Sequence, residues 1–121
     1  MIWQITEDAL SVLGYPLAAN TMIMATGVQL PDLFIAYQLI SSPPVLHADN
    51  VETMRMYRMQ VSIYSRDGLS GLPTSVRAAM VNAGFTASSM REIPYNPETR
   101  HFGLAMDFIY TSDEEEVVES Y

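Results

Sequence analysis

The chain has 121 residues, and 49% of them are apolar, so we expect one hydrophobic core and exclude a multidomain enzyme. Its 14 acidic and six basic residues give a formal net charge of −8, which excludes a nucleic-acid binder, because phosphate contacts need clusters of basic side chains. The absence of cysteine excludes disulfide bonds, thiol nucleophiles and cysteine-ligated metals.

The first half of the chain combines a helical pattern with an extended one. Apolar residues recur at helical spacing over residues 2–13, and Gly14 predicts the end of that helix. A short strand is expected at residues 22–25, and residues 33–40, rich in β-branched and aromatic side chains, predict a strand covered on both faces. Residues 43–53 lack periodicity and predict a long loop, an element that often binds partners. The predicted helix face consists of Ile2, Ile5, Ala9, Val12 and Leu13, with Thr6 outside it.

A strict alternation and then a second helical pattern follow. Over residues 55–65 the residues alternate, which predicts a strand with one buried face and one wet face. The next apolar stripe predicts a helix with Ser70 as its cap, Pro73 in its first turn and Gly84 at its end. The buried face of the strand is expected to consist of Tyr57, Met59, Val61 and Ile63.

The next pattern predicts a β-hairpin. Strands are expected at residues 85–91 and 100–110, joined by a turn at residues 94–99, which contain two prolines and an asparagine. His101 lies next to Arg100 at the start of the last strand and is interpreted as a solvated strand end. The apolar face of that strand is expected to consist of Phe102, Leu104, Met106, Phe108 and Tyr110.

Two helices and four to five strands in this order predict an α+β domain. Both helices are expected to pack on one face of a small, mainly antiparallel sheet. Five acidic residues lie between Asp113 and Glu119, and without them the net charge would change from −8 to −3. We therefore predict a domain at residues 1–112 and an acidic tail at residues 113–121. The tail is either a solvated end that aids solubility or a segment that guards an assembly surface.

The sequence contains none of the common catalytic or nucleotide-binding motifs. His47, Asp49 and Asn50 lie together in the predicted loop, but a metal site needs three or four convergent ligands, so ordinary loop polarity explains them. Glu7 and Asp8 lie where a signal peptide would be apolar, and no apolar run approaches the roughly 18 residues of a membrane helix. We expect no enzymatic activity, no cofactor, no metal and no membrane association.

Arginine and methionine residues mark a candidate interaction surface. All six basic residues are arginines, which bind carboxylates bidentately and are enriched at protein interfaces. Arg55, Arg58 and Arg66 bracket the wet face of the strand at residues 55–65, and Met56 adds an adaptable apolar contact there. Acidic copies of the same chain would suit these arginines, and pairing with acids of their own chain explains them equally well. The candidate interface consists of His47, Asp49, Asn50, Arg55, Met56, Arg58 and Arg66.

Six segments of the chain together carry a family resemblance. They are a helix ending Leu13-Gly14-Tyr15-Pro16, a strand at residues 31–40, a loop with Ala48-Asp49-Asn50, a strand at residues 57–68, a helix ending Ala83-Gly84-Phe85, and a hairpin whose turn at residues 95–98 leads into residues 101–110. Their order and the chain length resemble those of the tail terminator or tail completion proteins of long-tailed bacteriophages, also called head-to-tail joining or minor tail proteins. The resemblance covers nearly the whole chain and rests on the co-occurrence of segments that are individually common.

The resemblance implies a structural protein of the virion. Members of this family assemble as a ring, typically a hexamer, at the head-proximal end of the tail tube, where they stop tube growth and join the tail to the head connector. The implied partners are further copies of the chain, the major tail tube protein and the connector or stopper protein, after synthesis in the bacterial host cytoplasm. Genome DNA would pass through such a ring without specific binding, and an acidic chain repels its phosphates. The Ala48-Asp49-Asn50 loop is the matching element expected to face another subunit.

Two other hypotheses follow from the same residues. A small acidic binding module or inhibitor would use its acidic surface to engage a basic protein partner. A small hydrolase would use His47 and Asp49, although nothing else in the sequence supports catalysis.

Overall fold

A computed structural model describes residues 2–20, 24, 28–41, 44–48 and 51–113, with the backbone alone at residues 41, 44–48, 51–55 and 112–113. Within them the chain forms helices α1 (Ile2–Ser11) and α2 (Leu72–Asn82) and strands β1 (Leu17–Ala19), β2 (Leu33–Ser41), β3 (Pro44–Ala48), β4 (Val51–Ser65), β5 (Thr86–Asn96) and β6 (His101–Asp113). The predicted α+β class is confirmed. Residues 114–121, most of the predicted acidic tail, lie outside the described part of the chain.

The described strands form one mixed sheet in the order β1-β2-β4-β6-β5, and β3 also pairs with β4. β1 runs parallel to β2, whereas every other pair is antiparallel, so the prediction of a mainly antiparallel sheet is confirmed in part. The β5–β6 hairpin is present as predicted, but its turn lies at residues 97–100 instead of 94–99, because β5 continues to Asn96 and pairs there with β6. The short β1 lies just before the strand expected at residues 22–25, of which the structure describes residue 24 alone.

One face of the sheet contributes most of the hydrophobic core, and we call it the core face. The alternation along β4 places four side chains there with no exposed surface, as the sequence predicts. Neighbouring strands continue the same face by direct pairing, because Ile63 of β4 lies between Ile35 of β2 and Leu104 of β6. Residues from both helices belong to the same buried cluster. The strand residues of the core face are Ile35, Tyr37, Tyr57, Met59, Val61, Ile63, Leu104, Met106 and Phe108.

Helix α1 buries a face rotated from the predicted one. Thr6 is fully buried, and its hydroxyl donates a hydrogen bond of 2.8 Å to the Ile2 carbonyl. Because this acceptor lies in the preceding turn of the same helix, the hydroxyl is hydrogen-bonded within the core. Leu10 is also fully buried, whereas Val12 is 76% exposed because the helix ends at Ser11. The prediction that Thr6 lies off the buried face and Val12 on it is therefore wrong.

Helix α2 begins differently from the prediction. Its N-cap is Gly71, with φ of 78° and no side-chain cap, so the predicted Ser70 cap is wrong. Pro73 lies in the first turn as predicted, and Val76 and Met80, one turn apart, are fully buried. Gly84 follows the helix with φ of 102°, a conformation that glycine adopts without steric cost.

The hairpin of β3 and the first part of β4 replaces the long loop predicted at residues 43–53. Pairing of β4 with β2 ends at Arg58, and pairing of β6 with β5 ends at Ile109. Beyond these points, residues 51–56 of β4 pair with β3 and with the end of β6. At about 3.3 Å per residue this part extends roughly 20 Å past the rest of the sheet. We call β3, residues 51–56 and residues 111–113 the arm.

Candidate interaction surface

The sheet face opposite the core face, which we call the second face, carries three neighbouring groups of side chains. Phe34, Ala36 and Ala105 on this face are buried although they lie outside the main core cluster. β2 is therefore covered on both faces, as its sequence predicts. The three groups are an aromatic cluster of Phe34, Tyr64 and His101, a polar groove around Gln60 and Arg91, and an ion pair of Arg58 with Asp107.

The aromatic cluster surrounds His101, whose prediction as a solvated strand end is wrong. His101 is 3% exposed, and its Nε2 lies 2.8 Å from the Pro31 carbonyl oxygen. The Phe34 ring stacks on Tyr64 with centroids 4.8 Å apart and meets the imidazole edge-on at 5.2 Å. The segment before β2 therefore covers the first residue of β6, and this long-range contact keeps the imidazole from solvent.

Arg66 ties three separate parts of the chain together beside this cluster. Its Nε donates to the Thr99 carbonyl at 2.8 Å, in the β5–β6 turn. Its Nη1 lies 3.2 Å from the Leu30 carbonyl oxygen and 2.7 Å from Asp32 Oδ1. The planar guanidinium reaches all three acceptors because its donors are spread over separate nitrogen atoms, whereas a lysine side chain has a single ammonium nitrogen. Intramolecular pairing, one of the two explanations left open by the sequence, is what the structure shows for Arg66.

We expect Arg66→Ala to lower the free energy of unfolding by about 1–2 kcal/mol, because two backbone carbonyls lose a charged donor. Asp32→Ala should cost less than about 1 kcal/mol, because the Asp32 side chain is 74% exposed. Urea unfolding of both variants measures the difference. Equal effects of the two substitutions would show that the ion pair, rather than the carbonyl contacts, carries the stabilisation.

The polar groove lies in the middle of the second face and has a volume of about 250 Å³. Ala36 is part of its lining, and the small side chain leaves room between the strands. The Gln38 amide donates to Gln60 Oε1 across the β2–β4 pair at 3.3 Å. Arg91 is exposed and has no ion pair with any residue that the structure describes. The polar side chains of the groove are Asn20, Gln38, Gln60, Ser62, Tyr64 and Arg91.

Arg58 forms the third group, next to the arm. Its Nη1 lies 3.4 Å from Asp107 Oδ2 and 3.2 Å from Ser88 Oγ. Ser89 Oγ donates to the same Asp107 oxygen at 3.3 Å. Asp107 is therefore engaged by Arg58 and a hydroxyl of β5. As with Arg66, the structure shows Arg58 paired within its own chain.

The structure separates the sequence-predicted interface residues into different places. The backbone of His47 and of Arg55 forms part of the arm, and the Met56 side chain is half-buried where the arm joins the rest of the sheet. Asp49 and Asn50 lie outside the described residues. Arg58 and Arg66 are separated by about half the length of β4, roughly 26 Å at about 3.3 Å per residue. The predicted set therefore does not form one continuous patch, although part of it is gathered on the arm.

One ionisable group on the core face has a shifted pKa. Burial, and to a smaller extent the Glu7 carboxylate, raises the pKa of Tyr37 above its ordinary value of 10.0, so its hydroxyl stays protonated at neutral pH. Among the described residues no group of three or more histidine, aspartate or glutamate side chains is placed to hold a metal ion. Asp107 is occupied by Arg58 and Ser89, as described above.

No protein-family model matches the chain, and no curated protein matches it. None of the helices that the structure describes is long and apolar enough to span a membrane.

Sequence reasoning did not identify the polar groove. Gln38 and Gln60 were separate polar residues in two predicted strands, and their contact depends on the β2–β4 register. Arg91 was the last residue of a predicted strand, with no signal for the face it occupies. Its pairing with Ala105 across β5 and β6 places it on the second face. These residues share one feature in the sequence, a polar side chain on the wet side of a predicted strand. The sequence does not show that they are neighbours, because this depends on the register of the strands.

Proposed function

We propose that the chain is a structural subunit of a long-tailed bacteriophage, a tail terminator that closes the tail tube and joins it to the head connector. In this proposal the subunits form a ring at the head-proximal end of the tail, a hexamer as the resemblance implies. Both helices cover the core face, and the second face and the arm meet partners. The genome passes through the ring without specific binding, because the acidic chain repels phosphates.

The observation that carries the proposal is the arm. It continues the sheet roughly 20 Å beyond the body, and residues 51–56 pair there with β3 and with the end of β6. Among the described residues, the outer part of the arm is two-stranded, because pairing of β4 with β6 begins only at Met54, and a two-stranded hairpin is marginally stable by itself. Its extension is therefore explained by contacts with a neighbouring subunit. The family resemblance places its intersubunit loop, Ala48-Asp49-Asn50, at the same part of the chain.

Light scattering and negative-stain imaging of the full chain, with and without tail tube and connector proteins, test the proposal. We expect closed rings or an ordered cap on the tube. A matched variant replaces residues 46–53 with Asn-Gly, a two-residue turn that keeps the hairpin connected. This variant should fold with an unchanged melting temperature and lose ring formation. Rings formed by the shortened variant would contradict the role of the arm.

A strict monomer in the presence of both partner proteins would overturn the proposed function. A 1:1 complex with a basic protein, lost when the acids of residues 113–119 are replaced with amides, would instead favour the small acidic binding module. No turnover of a small molecule is expected in any of these assays.

A further inference from the structure

The polar groove of the second face has the chemistry of a site for carboxylates. Gln60, Ser62 and Tyr64 present an amide and two hydroxyls to it, and Arg91 supplies a positive charge. No carboxylate belongs to the described lining of this groove. Asp107, on the same face, is occupied by Arg58 and Ser89. The groove therefore offers neutral donors and one cation without an intramolecular counter-ion among the residues described.

The chain itself contains a segment with the complementary chemistry. The sequence from Asp113 to Tyr121 reads DEEEVVESY and carries five carboxylates but no base. This segment follows directly from β6 at the end of the arm. A chain that assembles with its own copies brings such a segment to neighbouring surfaces at high local concentration.

A chain cannot place most of these acids beside its own Arg91. Arg91 pairs with Ala105, which precedes Asp113 by eight residues of β6, a distance of roughly 26 Å along the strand. The glutamates at residues 114–116 follow Asp113 by one to three residues and reach at most roughly 11 Å along an extended chain, which is too short even when the lengths of the two side chains are added. Glu119 alone, at roughly 21 Å, comes within side-chain reach of Arg91 in the same chain. Several of these acids can therefore lie beside Arg91 together only when they come from another copy of the chain.

We propose that the acidic segment 114–119 of one copy binds in the polar groove of a second copy, with its carboxylates against Arg91 and the donors around Gln60. This inference rests on the proposed self-assembly and adds a partner for the groove and a role for the tail. Binding is electrostatic in origin, so it weakens as salt increases. It is also directional, because each subunit gives a tail to one neighbour and receives one from the other, as closure of a ring requires.

The test uses a labelled peptide with the sequence of residues 113–121 and a full-length chain whose own tail acids, at 114, 115, 116 and 119, are replaced with glutamine. Fluorescence anisotropy at low ionic strength should show binding. Adding Arg91→Glu should weaken it by about fivefold or more. Arg77→Glu is the matched control, because Arg77 is also exposed but lies on α2 and does not line the groove. This control should leave the affinity unchanged.

Three results would overturn the inference. The first is that a peptide with glutamine at every acidic position binds as tightly as the acidic peptide. The second is that Arg91→Glu leaves the affinity for the acidic peptide unchanged. The third is that Arg77→Glu lowers this affinity as much as Arg91→Glu does. Arg91→Gln serves as a second variant if Arg91→Glu does not fold, which circular dichroism reports. Ring formation by the wild-type chain is measured separately, so rings without peptide binding would reject this inference and leave the proposed function standing. If the wild-type chain is a monomer but still binds the peptide, the proposed function is wrong, whereas binding of the acidic segment in the polar groove is supported.

Discussion

Phe108→Asp is expected to prevent folding. Phe108 has no exposed surface and lies in the middle of the core face, where Met59 of β4 is its direct cross-strand partner. The substitution removes an aromatic side chain from a packed site and leaves an unpaired carboxylate there, which together cost about 5 kcal/mol or more. That loss equals the whole free energy of unfolding of many small domains. Circular dichroism and thermal melting of the purified variant measure it.

Phe102→Asp is the matched control for that variant. Phe102 lies on the same strand and the same side, six residues earlier, but it is 45% exposed and contacts the exposed Tyr95 ring at a centroid distance of 4.8 Å. We expect it to fold and to lose about 1 kcal/mol, since its carboxylate can reach water. A cooperatively melting Phe108→Asp variant, or an unfolded Phe102→Asp variant, would contradict the strand register.

Local periodicity accounts for the parts of the fold that could be predicted. On β4 the period of two matches a strand with one covered face, so the buried residues from Tyr57 to Ile63 follow directly from the sequence. On α1 the same reasoning fails at Thr6, because its hydroxyl bonds to the preceding turn and a polar residue enters the core. On β6 the period of two fails twice. It predicts that Phe102 is buried, but this side chain is 45% exposed, because the helices do not cover it. It predicts that His101 is exposed, but this side chain is buried, because the distant segment at Pro31 covers it.

Elements that depend on partners distant in sequence could not be predicted. β3 contains a proline and a histidine and has no alternation, so its extended form becomes evident only from its register with β4. The candidate interface was limited in the same way. Charge and residue type drew attention to Arg58 and Arg66, whose partners Asp107 and Asp32 are 49 and 34 residues away in sequence. Arg91, which has no such partner among the described residues, lies in the lining of the polar groove, and residue type alone did not distinguish it.

Gly103→Val is expected to lower the free energy of unfolding by about 3 kcal/mol. Gly103 is buried on β6 and pairs with Ile93 of β5, and a Cβ atom added to it would lie 2.9 Å from the Ile93 Cβ. The same atom would lie 3.2 Å from the Ile93 Cδ1, so rotation of that side chain relieves only part of the clash. Overpacking of this kind forces the two strands apart.

A double-mutant cycle with Ile93→Ala isolates this contact. Ile93→Ala removes the Cδ1 and Cγ2 atoms of a half-buried side chain but keeps Cβ, so in its background Gly103→Val loses two of its three close contacts and retains the one at 2.9 Å. We therefore expect Gly103→Val to cost less in the Ile93→Ala background than in the wild type, with a coupling energy of about 1 kcal/mol from urea unfolding. Additive effects would mean that Ile93 and Gly103 are not neighbours, and the β5–β6 register that places Arg91 on the second face would then be wrong.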